Sequence, residues 1–246
     1  MSRRRLDLEM VTRGLAPSRA RALDLIRRGL VTVTGTVAGK AGQLVDAQSD
    51  IAVAAGSSDY VSRSALKLAA ALDAFGLSPQ GRVALDLGAS TGGFTQVLLE
   101  RGAQRVYAVD VGHGQLHERL RADPRVVSIE RMDARRLGSS EITETAGVIT
   151  ADVSFISLTL VLPHALTLAA PTAWLVALVK PQFEAGRSAV GKGGIVKDPA
   201  DRRRAVERVT ACISSQAGWT VLGTIPSPIA GQDGNEEWLI AAQREA

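Results

Sequence analysis

Residues 83–96, Val-Ala-Leu-Asp-Leu-Gly-Ala-Ser-Thr-Gly-Gly-Phe-Thr-Gln, restrict the fold more than any other stretch of this chain. Val83 to Leu87 are apolar except for Asp86, the pattern of a short strand buried on both faces. Gly88 ends that strand. Ala89, Ser90, Thr91, Gly92 and Gly93 then leave the backbone free to lie against a ligand, and Phe94 to Glu100 read as the first turns of a helix. A strand, a small-residue turn and a helix N-terminus together form a nucleotide cradle, because no side chain blocks close approach. The next apolar run, 105–109, ends at Asp110, 22 residues beyond Gly88. A carboxylate at that strand end can accept both hydroxyls of a ribose.

The glycines at 88, 92 and 93 do not fit G-x-G-x-x-G, which brings a pyrophosphate onto the helix N-terminus. A broader, less phosphate-directed turn suits a cationic sulfonium, so the expected cofactor is S-adenosylmethionine rather than a dinucleotide. The plainer alternative is a tight turn that holds no ligand. From Arg82 onward strands and helices alternate: strands are expected at 83–87, 105–109, 126–129, 147–151 and 173–179, and helices at 93–101, about 115–121 and 157–169. Asp198 as N-cap and Pro199 at the first position open a helix to about Gln216, and strands near 219–225 and 236–242 follow. Such alternation predicts an α/β fold, a doubly wound Rossmann-like sheet with ligands at the carboxyl ends of its strands.

Composition narrows the class. The chain is 46% hydrophobic but only 4% aromatic, so its core must be aliphatic. A lone cysteine, Cys212, excludes an internal disulfide framework and suits a reducing, cytoplasmic setting. The basic start, Arg3-Arg4-Arg5, is followed by acidic residues and not by an apolar segment, unlike a secretory signal. The stretch 153–179 lacks Asp, Glu, Lys and Arg and is long enough to span a bilayer. Pro163, Pro171 and interspersed Ser and Thr point instead to a helix followed by a buried strand, with no membrane span.

Charge is unevenly spread. The whole chain carries +4, yet residues 1–30 hold eight arginines against three acids, a local +5. A local basic patch is the footprint of a polyanion. Arg3 to Arg13 and Ser18 to Gly29 read as two short helices, followed by a strand and turn at 30–37 and a strand at 51–54. Leu23, Leu25, Ile26 and Leu30 are expected to pack inward. Arg3, Arg4, Arg5, Arg19, Arg21, Arg27 and Arg28 would then reach phosphates, which planar guanidinium groups bind in bidentate fashion. A merely solvated basic face is the alternative. Arg3-Arg4-Leu6-Asp7, the run 18–26 and Gly29-Leu30-Val31-Thr32-Val33 resemble the S4 RNA-binding domain. The expected organisation is therefore a small α+β S4-like domain at 1–55, a polar linker at 56–62 and a catalytic domain at 63–246.

Four ionisable residues fall where such a sheet would gather them: Lys67 before the first strand, Asp152 after the fourth, Lys180 after the fifth and Glu237 at a late strand. Lys180 closes an uncharged strand, and a lysine beside apolar walls loses hydration, which favours its proton-accepting form. Salt bridges at strand ends are the alternative reading. The motifs 86–95, Asp152-Val153-Ser154-Phe155-Ile156-Ser157-Leu158, Lys180-Pro181-Gln182-Phe183-Glu184, Tyr60-Val61-Ser62-Arg63 with Leu66-Lys67-Leu68, and Gly194-Ile195-Val196-Lys197-Asp198 closely resemble the TlyA family over nearly the whole chain. That family joins an S4 domain to an FtsJ-like 2′-O-methyltransferase acting on cytidines of ribosomal RNA, and its members are also filed as haemolysin A.

The resemblance implies a Lys67-Asp152-Lys180-Glu237 tetrad with Lys180 as the base, and Glu237 rather than Glu236 because the family pattern is Gly-Asn-x-Glu. It also implies cofactor contacts from Asp86, Gly88, Ala89, Ser90, Thr91, Gly92, Gly93, Phe94, Asp110, Val111, Asp133, Asp152 and Phe155, and ribosomal RNA or ribosomal subunits, not DNA, as partner. No metal site is expected. Some members carry Arg-x-Trp-Val in the linker where this chain has Ser58-Asp59-Tyr60-Val61. Three other readings compete: a membrane-active haemolysin, which needs an amphipathic or membrane-spanning element not found here; a non-catalytic RNA-binding protein, which would keep the basic helices yet have no use for the tetrad; and a base-directed methyltransferase, which lacks its usual Asn-Pro-Pro-Tyr-like or catalytic-cysteine signature.

Overall fold

The computed structural model describes residues 3–16, 18–27, 29–53, 60–231 and 234–245. The chain divides into two compact units, Met1–Arg63 and Ser64–Ala246. The stretch expected as a polar break, 56–59, and Arg28 lie outside the described residues.

In the first unit β1 (Arg4–Arg5) leads into α1 (Leu6–Thr12), followed by α2 (Arg19–Arg27), β2 (Val31–Val33), β3 (Thr36–Val37), β4 (Leu44–Val45) and β5 (Ile51–Val53). The first helix thus starts three residues later than the sequence predicts. Arg4 and Arg5 are extended because their backbone pairs with Val45 and Leu44, a tertiary contact that overrides local helix propensity. β2 is the centre of a three-stranded antiparallel sheet with β3 and β5. Leu6, Met10, Ala22, Leu25, Ile26, Leu30 and Val31 form its core, while Leu23, expected there, is only half-buried.

The second unit runs α3 (Ser64–Phe75), β6 (Val83–Leu87), α4 (Gly93–Glu100), β7 (Arg105–Val109), α5 (Glu118–Arg121), β8 (Val126–Ile129), β9 (Ala146–Ala151), α6 (Leu158–Ala165), β10 (Ala169–Val179), α7 (Pro181–Glu184), α8 (Pro199–Ser214), β11 (Trp219–Pro226) and β12 (Trp238–Arg244). Its seven strands lie in the order β11-β12-β10-β9-β6-β7-β8. β8, β7, β6, β9 and β10 are mutually parallel, and β12 is antiparallel to both β10 and β11. This is a doubly wound α/β sheet whose order reverses between β6 and β9, the switch point at which such sheets bind ligands.

The core is aliphatic, as composition requires: Leu85, Leu87, Val109, Ile149, Leu162, Leu175, Val179 and Ile240 are all essentially buried. The uncharged stretch 153–179 divides into α6 and β10, and among the described residues no helix is long and apolar enough to cross a membrane. α6 ends earlier than the sequence predicts, at Ala165, and passes through a single tight turn, Leu166–Leu168, into a strand that begins at Ala169. Ala169 already pairs with Ala146, so the chain has left the helix to join the sheet.

Candidate active site

The strand register assembles the site. Leu87 and Ala151 are paired, so Gly88 and Asp152 are the next residues at the carboxyl edge, where the Asp152 N–H donates to the Leu87 carbonyl at 2.9 Å. Val179 pairs with Trp238, which makes Lys180 and Glu237 the next opposing positions. Val109 leads directly to Asp110, and its carbonyl accepts from the Gly88 N–H at 2.9 Å. One edge of the sheet therefore carries Glu237, Lys180, Asp152, Gly88 and Asp110 on neighbouring strands.

The four residues of the expected tetrad fall into two separate ion pairs. Lys67 Nζ lies 2.5 Å from Glu237 Oε2, and Lys180 Nζ lies 2.7 Å from Asp152 Oδ1. The Lys180 ammonium donates a hydrogen bond to Ser154 Oγ at 2.8 Å, whereas Asp152 Oδ1 is buried and receives no hydrogen bond of good geometry. Neighbouring Glu236 points elsewhere: its side chain is 64% exposed and pairs with Arg202. Asn235, 2% exposed, accepts from the Val196 N–H at 3.0 Å and donates to the Gly194 carbonyl at 2.9 Å, anchoring the segment that delivers Glu237.

Beside Asp152 and Ser154 lies a cavity of about 430 Å³, in the range of cofactor pockets. Gly88, Ser90, Asp110, Val111, Asp133, Asp152 and Phe155 line it. Gly88 has φ of +78°, and a Cβ there would come within 2.5 Å of the Asp152 carbonyl oxygen, so the turn tolerates only glycine. Gly92, with φ of +98°, opens α4 and would drive a Cβ into Leu120. Asp110 accepts from the Ser90 N–H at 2.8 Å and the Gly112 N–H at 2.7 Å. A carboxylate offers about four acceptor sites, so two remain for a ribose diol. Val111 is 72% exposed at the cavity, an apolar surface suited to a flat ring. Asp133 accepts from the Arg135 N–H, and its contacts with the Arg135 guanidinium and backbone hold its carboxyl down to about 2. This wall fits a nucleoside-bearing cofactor.

Other expected cofactor residues act from behind the wall. Asp86 is fully buried and accepts from Thr95 Oγ1 at 2.6 Å and Thr150 Oγ1 at 2.8 Å, with desolvation pushing its carboxyl up to about 6. Ala89, Thr91, Gly92, Gly93 and Phe94 shape the turn and the start of α4 without lining the cavity. Sequence reasoning passed over Ser154, Gln115, Met132 and Arg135, which do line it. Ser154 was within reach, since it stands inside the 152–158 motif.

Several arginines of the first unit are paired with acids of that unit. Asp7, 2% exposed, receives Arg5 Nε at 3.0 Å and Arg19 Nε at 2.8 Å, and its carboxyl is lowered to about 2, chiefly by the hydrogen bond from Arg5. Arg21 pairs with Asp24 at 2.7 Å, and Arg4 lies 4.0 Å from Glu9. Arg13 donates to Glu9 and to the carbonyls of Asp46, Ala47 and Ser49. Arg3 and Arg27 are exposed.

Comparison with known proteins agrees with both units. Residues 60–244 match the FtsJ-like methyltransferase family, and residues 4–51 match the S4 domain. A 16S/23S rRNA (cytidine-2′-O)-methyltransferase TlyA from Mycobacterium tuberculosis is 48% identical, with 98% of this chain and 90% of that protein covered. Hemolysin A from Brachyspira hyodysenteriae is 41% identical over 96% of this chain and 98% of its own length. The solved structure of a candidate hemolysin from Streptococcus thermophilus superposes with a TM-score of 0.75 at 39% identity, covering 100% of this chain and 90% of that one. The chain belongs to the TlyA family, in which an S4 domain is joined to an FtsJ-like methyltransferase.

Proposed function

We propose that this chain methylates the 2′-hydroxyl of a cytidine ribose in ribosomal RNA, using S-adenosylmethionine, with Lys180 as general base. The observation that carries the reading is the Lys180–Asp152 ion pair at 2.7 Å, one strand away from the glycine turn of the cofactor cavity. The 48% identity to a protein named as an rRNA (cytidine-2′-O)-methyltransferase supports the substrate class.

The bound cofactor supplies an activated methyl group on a sulfonium. Everything else is asked of this chain's own side chains. Lys180 Nζ, having first released its own proton to solvent, takes the 2′-hydroxyl proton as the oxygen takes the methyl group, and the Asp152 carboxylate beside it stabilises the ammonium that results. Lys67, its charge balanced by Glu237, holds the ribose or an adjoining phosphate in line. Asp110 and Val111 hold the nucleoside half of the cofactor, and Gly88 permits its close approach. General-base help of this kind is worth about 10²–10⁴-fold, and positioning supplies much of the rest. In this reading residues 1–55 dock on structured RNA, and the place of action is the cytoplasm.

The test is methylation of ribosomal RNA or subunits by the purified protein, followed by digestion to nucleosides. A 2′-O-methylcytidine product is expected. A base-methylated nucleoside would overturn the proposal in favour of base-directed chemistry.

A further inference from the structure

Glu184 is a buried carboxylate to which the proposed chemistry gives no part. It is 2% exposed and closes α7, four residues after Lys180. Its Oε2 accepts from Ser157 Oγ at 2.5 Å, and its Oε1 accepts from the Leu158 N–H at 2.7 Å. Both oxygens act as acceptors, which suits the ionised carboxylate. Ser157 is itself the N-cap of α6 and accepts from the Thr159 N–H at 3.1 Å. Glu184 therefore lies at the positive end of α6, a cap delivered from another element.

The two segments joined in this way have different tasks. The loop 152–157 carries Asp152 and forms one wall of the cavity. The segment 180–184 carries Lys180. A second contact spans the same gap, between the rings of Phe155 and Phe183, 5.2 Å apart and tilted by 51°. Phe155 has φ of +63°, a costly conformation for an aromatic residue, so its loop needs restraint from outside.

We infer that Glu184 is a positioning residue that ties the foot of α6 to α7, keeping Asp152 and Lys180 at pairing distance and the cofactor wall in place. It couples the two halves of the site: the loop that carries Asp152 and meets the cofactor cannot shift without moving the segment that carries Lys180. The inference rests on the proposed function for the identity of Lys180 as the base.

The experiment measures single-turnover methyl transfer to ribosomal RNA at saturating S-adenosylmethionine, with calorimetric binding of S-adenosylhomocysteine alongside. The proteins are wild type, Glu184→Ala, Glu184→Gln, Ser157→Ala and the Ser157→Ala/Glu184→Ala double variant. Displacements of about 1 Å can cost about 10²-fold in rate, and Glu184→Ala is expected to lose about that much and to bind S-adenosylhomocysteine more weakly. Glu184→Gln, which can still accept from Leu158 and donate to Ser157, recovers most of the rate. The double variant loses less than the two single losses combined, because the two substitutions share the Ser157–Glu184 bond. A wild-type rate in Glu184→Ala, additive losses in the double variant, or a glutamine variant no better than alanine would each overturn the inference. If Glu184→Ala fails to fold by circular dichroism, Ser157→Ala carries the test, and an undiminished rate there overturns it. The wild-type nucleoside digest separately decides the proposed reaction, while the rates of the variants decide the clamp.

Discussion

Lys67 Nζ meets Glu237 Oε2 at 2.5 Å across 170 residues of sequence, with 9% and 3% of the two side chains exposed. Breaking a buried pair leaves an uncompensated charge, so Glu237→Ala should lower stability by about 3–5 kcal/mol. A Lys67→Met/Glu237→Leu protein should regain much of that stability while staying inactive. Guanidinium unfolding and methyl-transfer assays on the same samples separate the two effects. An active double variant would mean that the pair serves folding alone.

Lys180 offers a sharper chemical test. Lys180→Ala should lose at least about 10²-fold in single-turnover rate with cofactor affinity nearly intact. Lys180→Arg should be almost as slow, since guanidinium keeps its charge and cannot accept a proton. Lys67→Arg, by contrast, should keep some activity if that residue only holds the substrate. An active Lys180→Arg enzyme would remove Lys180 from the role of base.

Asp110→Ala should weaken S-adenosylmethionine binding by about 1.5–3 kcal/mol through lost charged hydrogen bonds. The same change frees the Ser90 and Gly112 N–H groups, so the turn loses two of its restraints. Isothermal calorimetry reads the effect directly. Unchanged affinity would show that the cavity binds its ligand without the strand-end carboxylate.

Asp86 makes stability depend on pH in an unusual direction. Its folded-state carboxyl is raised to about 6, mainly by desolvation, so the folded chain holds the proton more tightly than the unfolded chain does. The stability it contributes is complete below the ordinary aspartate range and is lost as pH rises through about 6. The difference amounts to roughly 2–3 kcal/mol. Asp86→Asn should flatten the pH–stability curve between pH ~4 and ~6. A curve of the same slope in the variant would assign that dependence to other groups.

For RNA docking, Arg27 is the cleaner probe, because Arg5 and Arg19 also neutralise buried Asp7. Arg27→Ala should flatten the log–log salt dependence of RNA binding by about one. Arg19→Ala should lower both RNA affinity and the melting temperature. An unaltered slope in Arg27→Ala would take that arginine off the RNA.

The sheet and its edge were legible because their signals are local. Val83–Leu87, Arg105–Val109 and Val126–Ile129 stand where their apolar runs placed them. Proline and aspartate marked the start of α8, where the Asp198 carboxylate accepts from the Ala200 N–H at 2.8 Å. Other features depend on contacts between distant segments. Arg4 and Arg5 are strand only because Leu44 and Val45 lie beside them. Asp86 belongs to the glycine-turn motif yet faces Thr95 and Thr150 rather than the cavity, which no spacing rule reveals. Glu184 meets Ser157 through α7, a helix of four residues, too short for periodicity to announce.

β12 lies between β10 and β11, although it is the last to be made of the twelve strands among the described residues. A ribosome-bound chain that has reached Pro226 carries Lys67, Asp152 and Lys180 but neither Glu237 nor the strand that joins β11 to the sheet. Until β12 emerges and inserts, β10 and β11 present unsatisfied edges, and Lys67 lacks its counter-charge. During synthesis, then, closure of the sheet and completion of the proposed Lys67–Glu237 pair are the same late event.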